Sequence, residues 1–218
     1  MSSAVTPSDG KSRNVPRPST VRSGGNSTGA SPLWTACFRN NIERVKSIVD
    51  NGEDLNSVDL NGRSPLWISS YKGNLEIAKF LSRCDGIELE KGDIWENRSP
   101  LYVATTQGYI DIMEVLLDRG VDANSPNKDG MSPLCAACSL GDYAAVNVLL
   151  NRGANPVQQD KSGHNASMIA KKCGFREIYR AVYAVEERNN RANITMSKGY
   201  RGNRRMSTNP VAKMTLDD

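Results

Sequence analysis

The side chains whose spacing most resembles a chemical site in this sequence are Cys135 and Cys138, which form a Cys-x-x-Cys pair. Such a pair can bind zinc or exchange disulfides, but a structural zinc ion needs four ligands, which usually come from two pairs. The chain has 1 histidine, and its other cysteines are scattered. We therefore interpret the pair as small buried side chains in a packed helix, and we predict no metal ion and no cofactor.

No catalytic set of side chains can be assembled from the sequence. The single histidine, His164, lies between Gly163 and Asn165 in a turn and has no nucleophile paired with it. The sequence contains neither a phosphate-binding glycine loop nor a His-Glu-x-x-His motif, and its carboxylates fall at turn and solvent positions. The sequence predicts that the protein is not an enzyme.

One short motif indicates chemistry done to the protein rather than by it. The run Arg204-Arg205-Met206-Ser207 is a candidate site for a basophilic kinase, whose acidic pocket would bind the two arginines. Phosphorylation of Ser207 would add negative charge to a basic segment. Because a four-residue match arises often by chance, the modification stays a hypothesis.

The elements that carry these residues are organised by a recurring phrase, Ser-Pro-Leu followed by a large or soft side chain. The phrase begins at Ser31, Ser64, Ser99 and Ser132, and a degenerate copy begins at Asn165. Serine caps a helix amino terminus, and proline is tolerated at the first helical position because its missing amide has no partner there. Each copy therefore predicts the start of a helix, and the regular spacing indicates a repeat array rather than a closed globule.

Glycines then mark the ends of two helices in each unit. The first helix is predicted to end at Gly73, Gly108, Gly141 or Gly174, and the second, amphipathic helix at Gly52, Gly120 or Gly153. An Asx-rich connection and a turn lead to the next Ser-Pro-Leu. The unit is helix, turn, helix, hairpin.

These units resemble the ankyrin repeat. Leu116-Leu117-Asp118-Arg119-Gly120-Val121-Asp122-Ala123-Asn124 is similar to the family's Leu-Leu-x-x-Gly-Ala-Asp-x-Asn, and residues 160–166 resemble the opening of a capping repeat. The resemblance implies an all-α solenoid of helix-turn-helix units joined by β-hairpin loops. It implies four repeats and a cap, which cover residues 31–63, 64–98, 99–131, 132–164 and 165–187.

The sequence departs from the family pattern in two respects. Trp34, Trp67, Tyr102, Cys135 and Met168 stand where the family has histidine, so apolar bulk replaces a polar contact. The second repeat also carries two extra residues, and Asn97 occupies a turn-glycine position. We expect a longer, irregular finger there.

Composition separates the array from two tails. Residues 1–30, rich in serine, proline and glycine, and residues 188–218 are both basic and too polar to bury a core, and we predict that they are disordered. Residues 31–187 carry a net charge of −4 between tails of +3 and +5. The chain shows no signal peptide or spanning segment, and 5 scattered cysteines fit a reducing compartment. We expect an intracellular monomer in the cytoplasm, with the nucleus as an alternative.

The resemblance implies that a protein partner binds the concave face, the surface formed by the hairpin tips and the carboxyl ends of the first helices. The residues at these positions that we predict to contact the partner are Arg39, Leu60, Asn61, Arg63, Tyr71, Lys72, Trp95, Glu96, Arg98, Gln107, Lys128, Asp129, Met131 and Leu140. Trp95, Tyr71, Arg98 and Arg63 are the expected anchors, because tryptophan, tyrosine and arginine supply most large binding contributions. Trp95 has an alternative role, which is to pack against the neighbouring finger.

Trp34 and Phe38 lie in the terminal repeat, where polar residues are expected. Either the leader folds over these two rings or they form an exposed patch that a partner covers.

The leading hypothesis for function is a non-catalytic adaptor or scaffold that recognises a protein. The alternative is association with nucleic acid or an anionic membrane, driven by basic residues of the C-terminal tail such as Arg201, Arg204 and Arg205. The tail has only Tyr200 as an aromatic residue and also contains Asp217 and Asp218, which disfavours nucleic acid.

Overall fold

The structure is a computed structural model that describes residues 29–202, with side chains described as far as Arg191. Within this range the chain forms helices joined by turns, with no β-strand. The first helices of the successive units are α1 (Pro32–Phe38), α3 (Pro65–Lys72), α5 (Pro100–Gln107), α7 (Pro133–Leu140) and α9 (Ala166–Cys173). The second helices are α2 (Ile42–Asp50), α4 (Leu75–Leu81), α6 (Ile110–Asp118), α8 (Tyr143–Asn151) and α10 (Arg176–Gly202).

The predicted helix starts are confirmed. The serine hydroxyl of each Ser-Pro-Leu phrase accepts a hydrogen bond from the amide three residues later, as from Trp67 to Ser64 at 3.1 Å. In the degenerate copy the Asn165 side chain takes the same role and accepts from the Met168 amide at 3.0 Å. The local chemistry of one residue thus sets the start of every first helix.

The helices stack in two layers. Each first helix packs on the first helix of the next unit, from α1 through α9, and α2, α4, α6, α8 and α10 form the second layer. Leucine, isoleucine, valine and alanine side chains fill one continuous core between the layers. Each unit therefore buries its apolar face only by stacking on its neighbours, as a repeat array requires.

The hairpins are closed turns rather than strand pairs. In the first finger the Asp59 amide donates to the Arg63 carbonyl at 3.2 Å, and the Gly62 amide donates to the Asp59 carbonyl at 2.9 Å. The second finger is irregular, as predicted, and Asn97 takes the left-handed conformation with φ of 52°. Its tip is one residue longer than the first, and the other extra residue lies between α4 and Gly86.

The last helix runs past the boundary predicted at Glu187 and ends at Gly202. An ion pair one helical turn apart, between Glu187 and Arg191 at 3.3 Å, stabilises the helix beyond that boundary. Residues 1–28 and 203–218, which hold most of the two predicted tails and the candidate site at Ser207, lie outside the described residues.

Two turn glycines provide a test of how the repeats pack. Gly73 and Gly108 have nearly the same left-handed φ, 77° and 73°, but a Cβ on Gly73 would lie 2.6 Å from the Tyr109 ring, whereas one on Gly108 would meet only Asp142 at 3.6 Å. We expect Gly108→Ala to lower the free energy of unfolding by about 1 kcal/mol through backbone strain, and Gly73→Ala by about 2 kcal/mol because Tyr109 must also move. Urea denaturation of both variants measures the difference, and equal losses would show that Tyr109 does not constrain the turn.

Candidate protein-binding face

Neighbouring hairpin tips are joined by backbone hydrogen bonds. The Ile94 amide donates to the Asn61 carbonyl at 3.0 Å, and the Lys128 amide donates to the Glu96 carbonyl at 2.7 Å. The Lys161 amide in turn donates to the Asp129 backbone carbonyl at 2.9 Å. The four tips therefore form one continuous edge of the concave face.

A buried carboxylate anchors each of the first two fingers. Asp59 accepts from the backbone amide of Arg63 at 2.9 Å and from its Nε at 2.8 Å, and Asp93 accepts from Arg98 Nε at 2.8 Å. The carboxylates are almost completely buried, while the guanidinium groups are partly exposed. Each arginine is thus held by an acidic residue at the start of its own finger.

The two arginines also enclose a tryptophan of the first-helix layer. The Arg63 and Arg98 guanidinium groups lie 5.6 and 5.9 Å from the Trp67 ring centre, and Arg63 lies equally near Trp34, at 5.6 Å. Trp67 Nε1 donates to the Arg98 carbonyl at 2.8 Å. Trp67, which stands at the family's histidine position, therefore still makes a polar contact with the second finger through its indole N–H. The charges of Arg63 and Arg98 are already paired with Asp59 and Asp93. We therefore expect the two arginines to position the fingers rather than to supply the main contacts with a partner.

Aromatic stacking continues this arrangement to the ends of the first helices. Tyr71 stacks on Trp67 with ring centres 5.3 Å apart, and Phe38 stacks on Trp34 at 5.4 Å. Lys72 Nζ lies 4.5 Å from the Phe38 ring centre. Trp34 itself is buried, whereas Phe38 and Tyr71 stay exposed at one edge. The predicted anchor Tyr71 is thus accessible on the concave face.

Among the described residues, the large apolar side chains with the highest exposed fraction lie at the tips of the first two fingers. Leu60, Ile94 and Trp95 expose 68%, 63% and 62% of their surface, and we call these three residues the tip patch. Trp95 Nε1 donates to Asn61 Oδ1 at 3.1 Å, and Ile94 packs so closely on Gly62 that a Cβ there would collide with it. Trp95 therefore contacts the neighbouring finger and still presents most of its ring to solvent, and its role as a partner anchor stays a prediction.

The remaining predicted contact residues lie where the repeat pattern put them. Arg39, Lys72, Gln107 and Leu140 are exposed at the ends of α1, α3, α5 and α7, and Lys128 and Asp129 are exposed at the third tip. Glu96 is half-buried at the second tip. Met131 differs, because its side chain packs against the core and offers a partner only part of its surface.

Family comparison agrees with this geometry. A family model described as ankyrin repeats (3 copies) matches the chain over residues 17–93, 33–127 and 101–198. The chain belongs to the ankyrin repeat family. Ankyrin repeats generally mediate protein–protein interaction, and the family is typically non-catalytic. A search of curated proteins finds no match.

Charge is divided unevenly over the surface of the ankyrin array. Within residues 31–187 the basic residues on the concave face are Arg39, Arg63, Lys72, Arg98, Lys128, Lys161 and Lys172, and the acidic ones are Asp59, Asp93, Glu96, Asp129 and Asp160. Seven basic and five acidic residues leave this face at +2, so the rest of the array, which totals −4, carries −6. The concave face is the positive side of an acidic array.

Several of these basic residues have no acidic partner. We call Arg39, Lys72, Lys128, Lys161 and Lys172 the concave cations; none of them forms an ion pair with a described residue, and all are exposed. On the opposite layer, Lys46 and Lys79 pair with glutamates at 3.6 and 3.4 Å, whereas Arg44 and Arg83 form no ion pair with a described residue. The unneutralised charge of the face is therefore available to a ligand.

Cys135 and Cys138 are packing residues, as predicted. Both are buried in α7, and burial raises the pKa of the Cys138 thiol to about 12. A thiol that stays protonated is a poor nucleophile and a poor metal ligand. Residues 29–191, whose side chains are described, contain no group of metal-binding side chains.

His164 Nδ1 lies 3.7 Å from Asp160 at the fourth finger, where the carboxylate also accepts from the His164 amide.

Proposed function

We propose that the protein is a non-catalytic adaptor that binds a protein partner through its concave face. The tip patch is the observation that carries this proposal. Three large apolar side chains are exposed side by side on adjoining fingers, and a monomer has no use of its own for such a patch. Burying them against a partner would supply hydrophobic free energy that scattered apolar residues cannot.

The fingers under the patch are held in place before a partner arrives. Backbone hydrogen bonds join the tips, and the Asp59–Arg63 and Asp93–Arg98 ion pairs fix each finger to its own start. A preformed surface loses little conformational entropy when it binds. The arrangement supports recognition of a specific partner surface by the N-terminal half of the array.

We propose further that the adaptor works as an intracellular monomer, in the cytoplasm or the nucleus. All 5 cysteines, Cys37, Cys84, Cys135, Cys138 and Cys173, are free thiols, which suits a reducing compartment. No helix among the described residues is long and apolar enough to cross a bilayer.

The proposal predicts that polar substitution of the patch removes binding without unfolding the array. We expect the Leu60→Ser, Trp95→Ser double variant to recover its cross-linked partner from native lysate at least about tenfold less than the intact protein. The matched control is Tyr143→Ser, Val157→Ser, because both residues are exposed apolar side chains outside the concave face. Quantitative mass spectrometry gives the recovery, and far-ultraviolet circular dichroism checks that helical content is equal.

Loss of the partner with both double variants would show non-specific binding by exposed apolar residues, and retention with the tip-patch variant would overturn the proposal.

Fluorescence of the recovered pair provides an independent readout. Of the 3 tryptophans, Trp34 and Trp67 are buried and Trp95 is exposed. A partner that covers the tip patch should therefore shift the emission of Trp95 to shorter wavelength.

A further inference from the structure

We propose that the segment recognised by the concave face is an extended acidic peptide that also carries a large apolar side chain. This inference rests on the proposed function and adds the chemistry of the partner. The two parts of the ligand correspond to two features of the face, the tip patch and the concave cations.

The concave cations argue for carboxylates on the partner. They project from the positive face of an otherwise acidic array, so a negatively charged segment is attracted to this face and repelled from the opposite layer. Each cation lacks an acidic partner in the described array, so a ligand carboxylate does not have to break an existing ion pair.

Helix termini alone do not account for these charges. Arg39, Lys72 and Lys172 lie at or next to the carboxyl ends of α1, α3 and α9, where the helix dipole favours a cation. Lys128 and Lys161 lie on hairpin tips, away from any helix end. Helix dipoles therefore do not stabilise these two charges, and an acidic ligand would give them a counter-charge that the described residues do not supply.

The order of the tips indicates how the ligand lies. The tip patch occupies the first and second tips, and Lys128 and Lys161 occupy the third and fourth. Packed helices in neighbouring repeats are about 10 Å apart, and an extended chain advances about 3.3 Å per residue. Side chains of an extended chain alternate between its two faces, so an apolar side chain in the tip patch is followed by acidic residues roughly two to four and six positions along the ligand, at even separations that face the array.

The same face suits nucleic acid less well. Glu96 and Asp129 are interspersed with the lysines at the tips. A phosphate backbone carries a charge at every nucleotide and cannot avoid those carboxylates, whereas a peptide can place a neutral side chain opposite them. The tip patch also needs an apolar side chain to bury.

The test is a selection of displayed random 12-residue peptides on the full-length protein. We expect recovered sequences to be enriched in aspartate and glutamate and to contain tryptophan, phenylalanine or leucine. Their affinity, measured by fluorescence anisotropy, should fall at least about tenfold in the Lys128→Glu, Lys161→Glu variant and at 0.5 M salt. The matched control, Arg44→Glu, Arg83→Glu, changes two exposed arginines outside the concave face and should bind as the intact protein does.

The outcomes separate this inference from the proposed function. Peptides that need the tip patch but are neutral or basic would overturn the acidic ligand and leave the adaptor proposal standing. Peptides that bind the lysine and tip-patch variants unchanged would overturn both. Recovery of no peptide above background, or displacement of the peptides by equimolar single-stranded DNA, would overturn the acidic peptide as the ligand.

Discussion

Replacing Trp67 with alanine is expected to lower the free energy of unfolding by about 4 kcal/mol, as for other buried aromatic side chains. Trp67 is only 2% exposed and is the largest of the fully buried side chains. The variant loses the contacts with Arg63 and Arg98, the stack on Tyr71 and the hydrogen bond from Nε1 to the Arg98 carbonyl. The ring joins two consecutive fingers to the first-helix layer, so its removal affects the repeats 31–63 and 64–98 at once.

Urea denaturation followed by far-ultraviolet circular dichroism measures this effect. Because an array can unfold in parts, a lower slope of the transition would show that the N-terminal repeats separate from the rest. The matched control is Trp95→Ala, the same change at a residue that is 62% exposed and makes one side-chain hydrogen bond, with Asn61. We expect a loss of about 0.5 kcal/mol there. Similar losses at the two positions would contradict the structural role given to Trp67.

The difference between these two tryptophans shows what the sequence can predict. Helix starts follow from one serine or asparagine and its neighbours, so Ser64 and Asn165 could be assigned without a structure. First-helix ends at Gly73 and Gly108 also follow from local backbone preference, and both glycines are left-handed. Such features depend on residues close in sequence, and the repeat period puts them in register.

Contacts between repeats could not be derived in this way. Arg63 was predicted as a partner anchor from its tip position, and this stays a prediction. The structure also places its guanidinium group near Trp34 of one repeat and Trp67 of the next. A signal was present in the sequence: Asp59 and Asp93 each precede an arginine that stands directly before Ser-Pro-Leu. The distinction between an arginine that positions a finger and one that meets a partner depends on distances across the stack, which periodicity does not contain.

The length of the last helix likewise could not be predicted from the sequence pattern. The apolar stripe that seals the core ends near Val185, and this suggested a boundary at Glu187. The helix nevertheless continues, because polar residues can extend a helix that is already nucleated by packing, here with one ion pair between Glu187 and Arg191. Burial sets where a helix must exist, but not where it must stop.

Replacing Asp59 with alanine is expected to lower the free energy of unfolding by about 3 kcal/mol, because the change leaves a partly buried guanidinium group unpaired. It also deprives the Asn61 and Arg63 amides of their acceptor, which lies 2.9 Å from each. The first finger holds Leu60, so its loosening should weaken partner binding as well as stability. Urea denaturation at neutral pH measures the stability loss.

The effect should depend on pH in a defined direction. Burial alone would raise the pKa of Asp59, but hydrogen bonds from Arg63 and Asn61 together hold that pKa below the ordinary value of 3.8. The folded state therefore favours the ionised form, and the resulting stability is complete above about pH 4 and is lost as the pH falls through the folded pKa. The stability gap between the intact protein and Asp59→Asn should narrow under acid, and a constant gap would contradict this origin.

An acidic residue in the same repeat provides the matched control. Asp54 also caps a turn, accepting from the Asn56 amide at 2.9 Å, but it is exposed and forms no ion pair with an arginine among the described residues. Because water can replace its single hydrogen bond, we expect Asp54→Ala to cost only about 0.5 kcal/mol. A much larger loss at Asp59 would therefore come from the buried pair with Arg63, and the same pair fixes the finger that presents Leu60 to a partner.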